Sequence, residues 1–180
     1  KPILPPKWSE LSAMTISYGH GLSATPLHLA SAYATIANGG FKVQRTLFDA
    51  PRSGEKERLI APEVASASLA MLREVVHGKQ GTASFARLPG YAVAGKTGTA
   101  DKPNPRGGYY KDKVLATFAS VFPADNPKYV LVVTLDEPEE RSGKKPRRTA
   151  GWTAVPVASE LIARIAPLLG LRPQIETQPQ

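Results

Sequence analysis

Gly90-Tyr-Ala-Val-Ala-Gly-Lys-Thr-Gly-Thr99 supports two incompatible folds, and choosing between them settles the architecture. Gly90 to Thr97 fit the phosphate-loop spacing G-x-x-x-x-G-K-[ST], and Val130-Leu-Val-Val-Thr-Leu-Asp136 imitates the magnesium-binding strand of such a nucleotide site. That site needs a strand before the first glycine and a helix opening at the lysine, so that backbone N–H groups converge on phosphate. Neither flank complies. Gly81-Thr-Ala-Ser-Phe-Ala-Arg-Leu-Pro89 makes a poor buried strand, and the prolines of Gly98-Thr-Ala-Asp-Lys-Pro-Asn-Pro105 forbid a useful helix. The better reading is a short strand over Tyr91–Thr99, interrupted by glycine and ending in Lys96-Thr97-Gly98-Thr99.

Working outward, Val114–Phe122 and Tyr129–Asp136 are stronger strands, rich in Val, Leu, Thr and aromatics. Pro123-Ala-Asp-Asn-Pro127 between them is turn chemistry, which predicts an antiparallel hairpin. Three helices are expected. The first opens at Thr25-Pro26, repeats Leu29, Tyr33, Ile36 and Ala37 at helical spacing, and stops at Asn38-Gly39-Gly40. The second starts at Pro62-Glu63, carries Leu69, Leu72, Val75 and Val76 on one side, and ends at His77-Gly78. The third runs from near Pro156 through Leu161, Ile162 and Ile165 to Pro167. The order predicts an α+β fold, an antiparallel sheet with helices packed on it. Residues 1–170 form the domain and Leu171–Gln180 a frayed tail, with an extended, proline-rich lead-in over Lys1–Trp8.

The chain has 180 residues, 42% of them hydrophobic, which is enough for one core. No cysteine is present, so disulfide frameworks and thiolate metal sites are excluded, while the redox compartment stays open. The longest apolar run is broken by Arg164 and Pro167, and no signal peptide is visible. A net charge of +8 is concentrated at Arg141-Ser-Gly-Lys-Lys-Pro-Arg-Arg148. That run contains no aromatic residue, which argues for a solvated loop over a stacking-based nucleic-acid surface. His20, His28 and His77 have no ligand spacing and read as structural; Asp136-Glu137 and Glu139-Glu140 read as a solvated turn, not an acid/base pair. No metal or cofactor is expected.

Lys96-Thr97-Gly98 at a strand end resembles the Lys-Thr-Gly element of penicillin-interacting serine enzymes. Further segments match in order and spacing: Ile16-Ser-Tyr-Gly-His-Gly-Leu-Ser-Ala-Thr-Pro26, Ala32–Gly40, Val76-His-Gly-Lys-Gln-Gly-Thr-Ala83 and Ala150-Gly-Trp-Thr-Ala-Val-Pro-Val157. Together they resemble the C-terminal half of the transpeptidase domain of class B penicillin-binding proteins, of the division-specific type, with its β-lactamase-like fold. The family also uses Ser-x-x-Lys, which carries the acylated serine, and Ser-x-Asn. Ser-x-Asn is absent, and Ser53-Gly-Glu-Lys56 and Ser142-Gly-Lys-Lys145 lie in hydrophilic loops, unlike a nucleophile at a helix N-terminus. The resemblance therefore implies a nucleophile upstream of Lys1 and an isolated chain that is inactive. Arg148-Thr149 stand where related enzymes often place an aromatic pair that walls the cleft.

The resemblance implies further expectations. The intact enzyme cross-links peptidoglycan stem peptides through a serine acyl-enzyme on a D-Ala-D-Ala donor, and β-lactams acylate the same serine. Lys96 positions the donor's terminal carboxylate and tunes proton transfer, Thr97 and Thr99 donate hydrogen bonds, and Gly98 leaves room for the substrate backbone. The partners implied are the stem peptide, β-lactams, the rest of the domain and cell-division proteins, on a periplasmic domain anchored in the bacterial inner membrane. A D,D-carboxypeptidase or β-lactamase of the same fold is the alternative, and the family's five-stranded sheet implies two strands from outside residues 1–180.

Overall fold

A computed structural model describes residues 2–48 and 56–174. Four helices and three strands follow in order: α1 (Glu10–Ser17), α2 (Pro26–Ala37), α3 (Pro62–His77), β1 (Ala94–Pro103), β2 (Tyr109–Phe122), β3 (Tyr129–Asp136) and α4 (Ala154–Leu168). A single 3₁₀ turn, Ser84–Ala86, lies between α3 and β1. The α2 start is a capping box: Thr25 Oγ1 accepts from the His28 N–H, and His28 Nδ1 accepts from the Thr25 N–H. His28 is thus a structural cap. α3 opens on Pro62 with Glu63 in its first turn, and its inward face includes Ala65 and Val76.

The strands form one antiparallel sheet in the order β1-β2-β3. Residues directly opposite in such a ladder share a face. Thr97, Phe118 and Val133 therefore line one face, while Lys96, Ala119 and Val132 line the other. Phe118, Phe122, Ala116 and Val133 cluster with Val155, Ala158, Ile162 and Ala166 of α4 to make the core. α2 lies against β2 and β3 without joining that cluster, which places it on the opposite face. α3 packs along β1, so the strand that carries Lys-Thr-Gly is backed by a helix.

The strand–strand–strand–helix order, the β2–β3 hairpin and two helix spans agree with the sequence reading. Several expectations need correction. β1 runs from Ala94 to Pro103, because Asp101 and Pro103 pair with Val114 and Tyr109 in a long polar extension of β2. That arm, Tyr109-Tyr-Lys-Asp-Lys113, has no buried residue and so carries no apolar alternation to read. α1 has the same origin: a Ser9/Ser12 capping box forms it, and it buries no side chain. α4 begins at Ala154, and Leu161 points outward, 39% exposed, while Val155, Ala158, Ser159 and Ile162 face the core.

The boundary between domain and tail also shifts. Leu171 is buried in the core and its carbonyl accepts from the Tyr91 hydroxyl. Gln174 donates its backbone N–H to Gly90 O at 2.8 Å and its side-chain amide to Asp125 at 2.7 Å. The residues after α4 are held because Gly90, with φ +82°, has no Cβ to strike Pro173. Residues 175–180 lie outside the described range.

Candidate active site

Among the described residues β1 has no strand on its outer side, so Lys96-Thr97-Gly98-Thr99 occupies a free sheet edge. Gly95 anchors this edge from behind. A Cβ there would stand 2.6 Å from Ala119 O and 2.7 Å from the Phe118 ring, so the strand seats only with glycine. Gly98 is the opposite case: it is exposed, with nothing within 4 Å of the Cβ position. One glycine serves packing and the other leaves open space beside the lysine. No helix follows Lys96, and β1 continues through it, which removes the phosphate-loop reading.

The hydroxyls of this edge have assigned neighbours. Thr99 Oγ1 accepts the Ala150 N–H at 3.0 Å, from the turn that leads into α4. Its lone proton is thereby left for another acceptor. Thr97 Oγ1 lies 2.8 Å from Thr82 Oγ1 and 3.4 Å from Lys96 Nζ. Lys96 Nζ also donates to the Thr97 carbonyl at 2.8 Å, so the ammonium is folded along the strand edge. One positive charge and two hydroxyls at a sheet edge can bind a carboxylate, while unpaired backbone groups can pair with an extended peptide.

An open groove of about 530 Å³ adjoins the edge, lined by Glu74, Val75, the Gly78–Thr82 loop and Lys96. Thr82 and Ala150 are site neighbours to which the sequence reading gave no role. They lie in Val76–Ala83 and Ala150–Val157, and only the fold brings their polar atoms to β1. Gly151 also lies against this loop, since a Cβ on it would be 2.6 Å from Thr82 O. Trp152 follows directly, packs edge-on to Phe85 at 5.2 Å, and carries the Arg147 guanidinium 3.8 Å above its ring. Trp152 and Phe85 thus form an aromatic pair just beyond this turn, while positions 148 and 149 hold no aromatic residue. Arg148 instead donates to Glu139, with its Nε at 3.0 Å.

The remaining candidates fall away from this edge. Ser142 is exposed in the loop after β3, with Lys145 in the same loop and no helix beneath either. Ser53 lies outside the described residues. The acidic residues after β3 are ion-paired: Asp136 and Glu137 with Lys102, Glu139 with Arg141 and Arg148, and Glu140 with Arg147. The Lys102 and Lys113 hydrogen bonds hold the Glu137 carboxyl below its ordinary range, and the Arg141 and Arg148 bonds do the same for Glu139. Each of these carboxyls faces a cation, whereas an acid/base dyad sets two carboxyls against each other.

An α+β sheet with an edge-strand Lys-Thr-Gly-Thr beside an open groove defines the class of penicillin-interacting serine enzymes. The family described as the penicillin binding protein transpeptidase domain matches residues 2–161, and the chain belongs to it. It is 34% identical to the probable peptidoglycan D,D-transpeptidase FtsI of Caulobacter vibrioides, over 98% of this chain and 31% of that relative. It is 37% identical to penicillin-binding protein PbpB of Mycolicibacterium smegmatis, over 90% of this chain and 28% of that relative. The transpeptidase domain of Burkholderia pseudomallei penicillin-binding protein 3, in its apo form, superposes with a TM-score of 0.83 at 34% identity. That match covers 99% of this chain and 52% of the other. Penicillin-binding protein 3 of Mycobacterium tuberculosis, complexed with ampicillin, superposes with a TM-score of 0.81 at 32% identity. There the match covers 99% of this chain and 42% of the other. The chain thus spans 28–31% of the length of these two relatives.

Proposed function

We propose that this chain is the Lys-Thr-Gly-bearing part of a peptidoglycan D,D-transpeptidase, with the acylated serine on residues outside it. The observation that carries this reading is the edge strand. Lys96 supplies the charge, Thr99 Oγ1 accepts the Ala150 N–H and keeps its proton to donate, and Gly98 leaves the approach open. In the full enzyme the serine oxygen attacks the penultimate D-alanyl carbonyl, and terminal D-alanine leaves as the protonated amine. An acceptor amine then attacks the ester, an amide forms, and the serine regains its proton. Lys96, Thr97 and Thr99 bind the donor's terminal carboxylate, and the free edge of β1 pairs with its backbone. A β-lactam carboxylate occupies the same place. The intact protein is a periplasmic enzyme of cell division held to the inner membrane by an anchor outside this chain; among the described residues no helix is long and apolar enough to cross a membrane.

Acylation of the full-length protein by benzylpenicillin, followed by intact mass, tests the reading. Lys96→Ala and Thr97→Val should each lower the second-order acylation rate by about 10²–10³, the equivalent of about 2–4 kcal/mol, with thermal midpoints nearly unchanged. Unchanged acylation in both variants would remove this strand from the active site. The 180-residue chain alone should gain no mass, and a stoichiometric adduct on Ser53 or Ser142 would relocate the nucleophile. Supplied with stem-peptide dimer precursors, the full-length protein should form cross-linked product; release of D-alanine alone would assign it to the carboxypeptidases.

A further inference from the structure

We infer that Thr82 is a positioning residue for the carboxylate-binding hydroxyl of Thr97, acting as its short hydrogen-bond donor whenever a carboxylate is bound. The inference rests on the reading of Lys96–Thr99 as the carboxylate site. Thr82 Oγ1 and Thr97 Oγ1 are 2.8 Å apart, and either could be the donor in the free site. A hydroxyl has one proton, and a carboxylate only accepts. Once a carboxylate takes the Thr97 proton, Thr97 can no longer donate to Thr82. The bond between the two threonines then survives only if Thr82 donates.

Lys96 is the weaker donor to the same oxygen. Its ammonium donates to the Thr97 carbonyl at 2.8 Å and only weakly, at 3.4 Å, to Thr97 Oγ1, so the short contact on that oxygen is the one from Thr82. Thr82 Oγ1 makes no other hydrogen bond among the described residues, so no protein acceptor there competes for its proton. The resulting chain, Thr82 to Thr97 to carboxylate, is polarised in one direction, and each bond strengthens the next. Thr99 is supplied in the same manner by a backbone donor, the Ala150 N–H. The site thus carries two hydroxyls that each accept a hydrogen bond from behind, one from backbone and one from a side chain.

The fold fixes Thr82 although its side chain is exposed. Ala83 is fully buried and donates its N–H to Val75 O at 3.0 Å. Gly81 lies so close to the same carbonyl that a Cβ would be 2.3 Å away. Arg87 donates to Val76 O, His77 O and Gly78 O, which ties the loop to the end of α3. The Thr82 carbonyl is covered by Gly151. The hydroxyl therefore projects from a braced backbone into the groove that contains Lys96.

The test compares acylation of the full-length protein by benzylpenicillin, which has a free carboxylate, and by its methyl ester, which does not. Thr82→Val and Thr82→Ala should each slow acylation by the acid about tenfold while changing the ester rate less than about twofold. Thr82→Ser should restore the acid rate. Equal slowing of acid and ester would mark Thr82 as structural and overturn the inference, as would an unchanged acid rate. Thr97→Val is the control that separates the two levels of argument. If Thr97→Val discriminates acid from ester and the Thr82 variants do not, the positioning role fails alone. If Thr97→Val does not discriminate either, the carboxylate site itself is misplaced.

Discussion

Two glycines three residues apart carry opposite demands in β1, and the contrast can be measured. Gly95 is buried, with Ala119 O and the Phe118 ring inside contact distance of any added Cβ. Gly95→Ala must push β1 away from β2 or turn Phe118 out of its rotamer. Overpacking of this kind costs about 1–3 kcal/mol, so a lowered denaturation midpoint is expected. Gly98 has an ordinary backbone and an empty neighbourhood. Gly98→Ala should leave the melt unchanged yet slow acylation of the full-length protein, because its methyl occupies the space the ligand's backbone needs. A Gly98→Ala variant that acylates at the native rate would show that the ligand does not approach this face. Thr82 belongs to the same scale: its importance lies in one oxygen, 2.8 Å from another.

At the level of elements, β3 is the most exposed structural risk. It is the outer strand of the sheet, opposite β1, and has no strand partner among the described residues on its far side. Natural edges are blunted by lysine, proline or a bulge, and Tyr129–Asp136 contains none of these. Val133 is buried, and Val130, Leu131 and Val132 are half-buried, with α2 and α4 against the strand. Apolar character on both faces suits an interior strand, which agrees with the two additional strands that the family resemblance implies. The isolated chain should therefore self-associate through β3 in a concentration-dependent way. Thr134 is exposed in mid-strand, so Thr134→Lys places a charge on this edge at little cost to the core. Sedimentation across a concentration series should show association in the parent chain and less in the variant. A monodisperse parent at high concentration, with β3 amides protected from exchange, would mean the edge is covered from within.

Across the whole molecule, charge is arranged in pairs at the end of the sheet remote from the β2–β3 turn. Lys102 binds Asp136 at 2.7 Å and Glu137 at 2.8 Å, and the loop after β3 is tied by Glu139 and Glu140 to Arg141, Arg147 and Arg148. The Lys102 hydrogen bond is the main cause holding the Glu137 carboxyl low; Arg141 leads for Glu139, the Ser142 hydroxyl for Glu140, and the Gln174 amide for Asp125. A carboxyl lowered on folding stabilises above its unfolded value, about 3.9–4.3, and that contribution is lost as pH falls through the lowered folded value. Lys102, raised by Asp136 and then Glu137, works in the other direction. Its contribution is full below the unfolded lysine value, about 10.4, and is lost as pH climbs through the raised one. The thermal midpoint should therefore be flat through neutrality and fall at both limits. Lys102→Met should flatten both limbs, and added salt should weaken them because the pairs are partly exposed. Limbs of equal steepness in parent and variant would assign the pH dependence to other groups.

Local chemistry by itself determined much of this protein. Thr25-Pro26 and Pro62-Glu63 start helices wherever they occur in an apolar period, and Pro123–Pro127 turns a chain between two apolar strands; all three appear where the residues place them. Lys96-Thr97-Gly98-Thr99 was legible as a strand-edge element because proline and glycine forbid the helix a phosphate loop requires. α1 and the Tyr109–Lys113 arm are not legible in this way, since neither buries a side chain and so neither shows the apolar period that marks an element. Tertiary structure decided the rest. Leu171 to Gln174 hold one apolar residue beside Arg172, Pro173 and Gln174, yet they dock, because the core, Gly90 and Asp125 arrive from distant parts of the chain. Thr82 lies 15 residues from Thr97, and Ala150 lies 51 from Thr99. Hydrogen bonds across such separations depend on packing between elements, which local propensity does not encode.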